Sequence, residues 1–244
     1  MPTPTMDFEV YLNTNAPAAE RQAILADLLA NEDAAGIEYA VVMPQPTPHP
    51  DNRALYETAG KERRAILCCQ VNPNDASAVD DIRRSATEFG MRVLKIMPAI
   101  YHLQLLSPLA STLMTVAREL GLVVNIHSGS EISHPLAIGA LCRRFPDVTV
   151  LMDHMGYREW TSDAIEAARD NPNLYLGTTI AAFETSTIAR AIKELGPERV
   201  VYGSNWPVVH SDLAVEAIRR AKFGQEAEAL ILGGNLARIL NVMD

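Results

Sequence analysis

Short apolar runs alternate with helical patterns along this whole chain, and that alternation constrains the fold more than any other feature. Three of the runs, Val123-Val-Asn-Ile-His127, Val148-Thr-Val-Leu-Met-Asp-His154 and Val200-Val-Tyr-Gly-Ser-Asn205, stop at a polar, chemically capable residue with Gly, Ser or Pro close behind. A parallel strand buried on both faces reads as a continuous apolar stretch. A functional side chain at its C-terminal end stands where α/β barrels keep their active sites.

Strands are predicted over residues 6–12, 37–43, 65–71, 92–97, 122–127, 148–153, 174–178 and 199–204. Helices are predicted between them over 18–29, 53–59, 77–89, 108–120 and 135–144, around 164–170, up to about 196, and finally over 212–222 and 226–240. Gly36, Gly90 and Gly121 follow helical stretches as stops, Pro135 suits a first helical turn, and Asn235 reads as a helix cap. Such spacings permit right-handed crossovers. The expected fold is a single-domain (β/α)8 TIM barrel over residues 1–244. A doubly wound open sheet is the alternative, but it would carry a phosphate-binding glycine fingerprint that this chain lacks.

The 244 residues suit one such barrel, and a net charge of -9 leaves no basic patch for nucleic acid. No apolar run approaches the roughly 20 residues that span a bilayer. The start lacks the basic and apolar regions of a secretory signal. Three cysteines, Cys68, Cys69 and Cys142, show neither zinc spacing nor a disulfide framework. A cytoplasmic protein with no membrane partner is expected.

Candidate chemistry gathers at the strand ends. Asp7, Glu9 and Tyr11 share one face if strand one alternates strictly; they either point into the barrel mouth or lie outside on an exposed edge. Lys95, near the end of strand four, either holds a carboxylate or carbonyl oxygen or pairs structurally with an acid. His127 ends strand five ahead of Ser128-Gly129-Ser130, whose amides suit an anion. His154 ends strand six beside Asp153. Asn205 ends strand eight before Trp206-Pro207, and an asparagine hydrogen-bonds but is no base near neutral pH. His49, His102, His134 and His210 read as structural or exposed, with His102 and His210 at the pocket rim.

Taken in this order, strand one, the Lys95 strand, Ile-His127-Ser-Gly-Ser, Asp-His154-Met-Gly, Tyr-Gly-Ser-Asn205-Trp-Pro and Ile-Leu-Gly-Gly-Asn-Leu-Ala-Arg-Ile-Leu240 resemble the amidohydrolase superfamily. The resembling branch is that of the amidohydrolase-2 proteins, with its dicarboxylate lactonases and metal-dependent decarboxylases. The resemblance implies metal ligands at Glu9 and Tyr11, where relatives carry His-x-His or Glu-x-His, and at His127. It places a ligand or substrate contact at His154 and a proton-shuttling acid at Asn205. Tyr11 and Asn205 depart from that pattern, so the site is expected to hold no metal, or one weakly bound zinc or manganese on Glu9 and His127.

The expected activity is hydrolysis of a small carboxylated lactone or related cyclic ester. His127, His154, Lys95 and Asn205 are the expected catalytic residues, with Tyr11, Ser128, Arg158, Trp160 and Trp206 binding the substrate. In that scheme a histidine polarises the carbonyl or moves the proton, and Lys95 holds the oxyanion or carboxylate. The alternatives are a metal-dependent decarboxylase of a small unsaturated or aromatic acid, and a catalytically reduced barrel that binds a ligand. A homodimer is a further expectation.

Overall fold

In the computed structural model, residues 3–179 and 184–242 are described. The apolar runs form β1 (Met6–Leu12), β2 (Tyr39–Pro44), β3 (Ala65–Gln70), β4 (Val93–Ile96), β5 (Val123–Ile126), β6 (Val150–Met152), β7 (Leu174–Gly177) and β8 (Val200–Val201). The helical patterns between them form α1 (Ala18–Ala35), α2 (Asn52–Ala59), α3 (Ala78–Thr87), the short α4 (Pro98–Tyr101), α5 (Pro108–Glu119), α6 (Pro135–Arg144), α7 (Thr161–Asp170) and α8 (Thr185–Leu195). After β8 come α9 (Ser211–Arg220), α10 (Gln225–Ala229) and α11 (Asn235–Leu240). Every strand pairs in parallel with the next in one eight-stranded sheet. The ring closes through β1: Phe8 N–H donates to Tyr202 O at 3.1 Å, Asn205 N–H to Glu9 O at 3.0 Å, and Tyr11 N–H to Trp206 O at 2.9 Å. The fold is a (β/α)8 barrel. No helix among the described residues is long and apolar enough to cross a membrane.

Two apolar layers hold it. Outward strand positions such as Val10, Val42, Cys69, Leu94 and Val124 pack against the helices. Inward positions Met6, Phe8, Val41, Ile66, Val93, Val123 and Leu151 fill the lower barrel, and Leu236, Ala237 and Leu240 of α11 join them. Gly177 and Gly203 make room for the Phe8 ring: a Cβ at Gly177 would stand 2.3 Å from Phe8 Cζ, and one at Gly203 2.5 Å from Cε1.

The structure corrects three local expectations. Strand one does not alternate strictly. Asp7 pairs with Ala40 and Val10 with Val42, so β1 carries one extra residue between them, a β-bulge. Phe8 and Glu9 both reach the interior as a result, while Asp7 stays on the outer side with Ala40, its carboxylate taking N–H groups from Glu9 and Ser204. Asn235 is no cap: its side-chain amide donates to Pro197 O and Val200 O, both at 2.8 Å, tying α11 to the last strand. The stretch read as one helix over 226–240 is broken by a wide turn at Leu230–Gly234. There the backbone passes so near the N-terminal segment that a Cβ on Gly233 would lie 1.8 Å from Pro4 O.

Candidate active site

Above the apolar filling lies a layer of buried polar side chains. Glu9 from β1, Lys95 from β4, Asn125 from β5 and Asp153 at the end of β6 are almost wholly excluded from solvent. Charged groups persist in such surroundings only when paired and hydrogen-bonded. Here Lys95 Nζ donates to Glu9 Oε2 at 2.9 Å, Asp153 Oδ2 at 2.5 Å and Asn125 Oδ1 at 3.3 Å. Asn125 Nδ2 donates to Glu9 Oε2 at 2.8 Å, and the Tyr11 hydroxyl donates to Glu9 Oε1, also at 2.8 Å. Ser128 N–H donates to Asp153 Oδ1 at 2.7 Å.

Burial alone would discharge the Lys95 ammonium, but the Asp153 and Glu9 carboxylates outweigh it and raise the pKa, so the ammonium stays charged. Burial likewise pushes Asp153 up, yet the charges of His154 and Lys95 pull it down to about 2. The Tyr11 phenol is held well above its ordinary range by burial and by Glu9, and it stays a donor.

The rim of the barrel mouth carries the groups with capacity to spare. The His127 and His154 rings meet edge to face, centroids 5.0 Å apart, and Tyr157 stacks obliquely on His154 at 4.5 Å. The Tyr157 ring lies against Gly129, where a Cβ would be 1.6 Å from the ring carbon Cδ2. His154, Met155 and Tyr157 all have positive φ, near 57°, 51° and 51°. Such residues cost roughly 1–3 kcal/mol each and persist where surrounding contacts enforce them. One such contact is Thr179, whose Oγ1 accepts from His154 N–H at 2.9 Å and lies 2.6 Å from His154 Nδ1. That oxygen thus meets both the backbone and the ring of His154, and His154 Nε2 lies 3.6 Å from Asp153 Oδ2. Burial lowers the His154 pKa, which favours the neutral ring. His127 differs: its Nδ1 is buried and has no hydrogen-bond partner among the described residues.

The structure thus brings Glu9, Tyr11, Lys95, His127 and His154 to one end of the barrel, with the backbone of Asn205 joined to Glu9. It changes the part that several of them can play. Lys95 has three N–H groups, and all three are spent on the cluster; it positions Glu9 and Asp153 and does not reach out to an oxyanion. Ser128 is fully buried, donates its hydroxyl to Asp153 O and accepts from Gly156 N–H at 2.9 Å, so it ties two loops together. Asn205 takes a left-handed φ of 65°, a conformation asparagine tolerates.

Three predicted substrate contacts stand apart from the cluster. Trp206 is packed in the outer core with Val10. Arg158 is exposed and paired with Glu184. Trp160 packs edge to face on His134 at 5.6 Å. Of the other histidines, His134 caps α6, His102 ends α4, and His49 and His210 make surface contacts with Asp75 and Asn31.

Sequence reasoning missed Asn125, Tyr157 and Thr179, and passed over Asp153 as a mere neighbour of His154. A signal existed for one of them: Asn125 interrupts an apolar strand two residues before His127, hence on the same face. No comparable signal marked Thr179, which comes close to His154 only through the adjacency of β6 and β7.

Glu9, Asp153 and His154 offer ligand atoms within 4.8 Å of one another, the donor types a divalent metal takes. His127, expected beside Glu9 as a ligand, is not in this group. The donor set as it stands does not fit a metal. Each carboxylate oxygen already receives an N–H or O–H, and the Lys95 ammonium bridges the two carboxylates.

Comparison with known proteins extends this picture. A sequence model of the amidohydrolase family matches residues 14–242. No curated protein matches the sequence. Among solved structures, 5-carboxyvanillate decarboxylase from Sphingomonas paucimobilis superposes with a TM-score of 0.76 at 18% identity, covering 98% of this chain and 99% of that one. A candidate 2-pyrone-4,6-dicarboxylic acid hydrolase from Pseudomonas putida gives 0.77 at 14% identity, covering 100% of both chains. A dihydroxybenzoic acid decarboxylase from Polaromonas, with bound manganese and the inhibitor 2-nitroresorcinol, gives 0.74 at 14% identity, covering 99% and 98%. Likeness at such identity establishes the shared barrel fold.

Proposed function

The chain belongs to the amidohydrolase family, and from that premise we propose that it hydrolyses a small carboxylated lactone or related cyclic ester without a resident metal. One observation carries the reading: Lys95 supplies a fixed cation between Glu9 and Asp153, the two carboxylates that a metal would need. Hydrolysis must then be run by side chains at the mouth. His127, half-buried at the mouth, is the general base that draws a proton from water. The water oxygen bonds to the lactone carbonyl carbon, and a tetrahedral oxyanion forms. Burial holds the Tyr157 phenol up to about 12, so it remains a donor to that oxyanion, and the Asn205 amide is a second donor. The ring C–O bond then breaks, the leaving oxygen takes the proton from the His127 imidazolium, and a hydroxy acid results. His154, fixed by Thr179, supports the Tyr157 ring. Arg158, one residue beyond Tyr157, would hold the substrate carboxylate by exchanging it for Glu184.

The test is a panel of lactones with and without a carboxyl group, assayed with and without chelator. Chelator-resistant ring opening confined to the carboxylated members supports the reading. A silent panel, with manganese-dependent CO2 release from aromatic acids, would replace it with the second reading, a decarboxylase. What favours that alternative is the convergence of Glu9, Asp153 and His154, and it requires the ammonium to withdraw.

A further inference from the structure

We infer that the Lys95 ammonium is the built-in cation of a latent divalent-metal site, occupying the place that Glu9, Asp153 and His154 would otherwise give to a metal. The inference concerns cation binding alone and stands or falls separately from the choice of substrate. Two carboxylates and an imidazole, all buried, converge within 4.8 Å. That is a donor set of metal-binding type, yet its oxygens point at a nitrogen. Lys95 Nζ lies 2.9 Å from Glu9 Oε2 and 2.5 Å from Asp153 Oδ2. A metal on those oxygens would stand beside a full positive charge in a site that excludes water, where such repulsion is poorly screened.

The charge count agrees. Two carboxylates and one ammonium leave a single negative charge among the three groups, and a divalent ion would turn this into a net positive one. The neighbouring donors reinforce the exclusion, since Tyr11 and Asn125 hold Glu9 and Ser128 holds Asp153. Relatives that use a metal at this end of the barrel are implied by the family resemblance. In this chain the lysine of β4 satisfies the same carboxylates without one. Removing the ammonium while keeping its aliphatic length should therefore uncover the site.

The experiment is calorimetric titration of Mn2+ and of Zn2+ into the chelator-treated protein and into Lys95→Met, with thermal unfolding recorded in parallel. The expected result is no binding in the micromolar range for the parent, and one equivalent in Lys95→Met with an affinity at least 100-fold higher. That gain is lost on adding Glu9→Gln, and Mn2+ raises the Tm of Lys95→Met alone. If the parent binds one equivalent within tenfold of the variant, and Glu9→Gln abolishes it, the ammonium does not exclude metal and the inference fails. It fails equally if a folded Lys95→Met binds nothing. Should Lys95→Met not fold, Lys95→Gln, which is neutral but still donates to the carboxylates, takes its place under the same criteria. The parent titration decides without either variant whether metal is excluded.

Discussion

Gly203 leaves just enough space for Phe8: a methyl group added to it would fall 2.5 Å from the Phe8 ring. The contact is between β1 and the loop that ends β8, at the seam where the barrel closes. Gly203→Ala should cost about 1–3 kcal/mol of unfolding free energy, the usual penalty for overpacking a filled interior. Combining it with Phe8→Leu should recover at least ~1 kcal/mol of that, since the two positions share one space. Denaturant unfolding of the two single variants and the double variant checks this, and strict additivity would count against it.

Stability should fall as pH rises from about 4.5 to 7, because of Glu32 on α1. Its Oε1 accepts from Ser211 and Asn31, but Oε2 is buried without a partner among the described residues. Burial pushes its pKa up to about 7, and its charge adds to the burial that raises Asp7 well above its ordinary value. A carboxyl that takes its proton more readily when folded stabilises the fold at low pH and loses that contribution as pH climbs through its folded value. From the shift, ionising Glu32 costs about 3 kcal/mol at pH 8. Glu32→Gln should therefore raise the unfolding free energy by roughly 1–3 kcal/mol at pH 8 and change it little at pH 5. Equal effects at both pH values would show that the side chain is lost for another reason.

His127→Gln should lower kcat/KM for ring opening by about 10²–10⁴-fold, the range that a positioned general base supplies. Its Tm should stay close to that of the parent, because Nδ1 makes no hydrogen bond to any described residue. Thr179→Val acts differently. It removes the group that fixes His154, so it should reduce kcat with little change in KM. Steady-state kinetics beside thermal melts separates the two, and full activity in His127→Gln would remove that residue from its proposed role.

Arg158 and Glu184 form an exposed pair, and exposed pairs contribute little to stability. Arg158→Ala should leave the Tm unchanged but raise KM for a carboxylated substrate at least tenfold, with kcat less affected. Glu184→Gln should lower KM, because it frees the guanidinium. An unchanged KM in both variants would place carboxylate recognition elsewhere.

The barrel was legible in the sequence because buried parallel strands need continuous apolar runs, and the helix stops at Gly36 and Gly121 marked where each run resumes. Strand ends were placed less well: β8 keeps only Val200–Val201 of the predicted 199–204, and the residues after it bond to β1 and to Thr178 outside the regular ladder. Glu9, Lys95, His127 and His154 were legible as polar residues at the ends of apolar runs. Their mutual bonding was not, because Glu9 and Asp153 are 144 residues apart and meet only through Lys95. Asp153 was overlooked for the same reason, and the packing of Trp206 into the outer core was not legible, because a strand-end loop says nothing about which way its side chains turn.

The bulge in β1 gives the charge cluster a dependence on length as well as on residue type. Three steps of chain from Asp7 to Val10 stand against two from Ala40 to Val42. Removing Phe8 or Glu9 would restore even pairing and leave one inward side chain between Asp7 and Val10 where there are now two, so β1 would supply either the apolar filling or the carboxylate, not both. The capacity of one strand to carry an apolar plug and a buried carboxylate side by side is thus written in a single backbone unit, and residue identities alone would not reveal whether a relative possesses it.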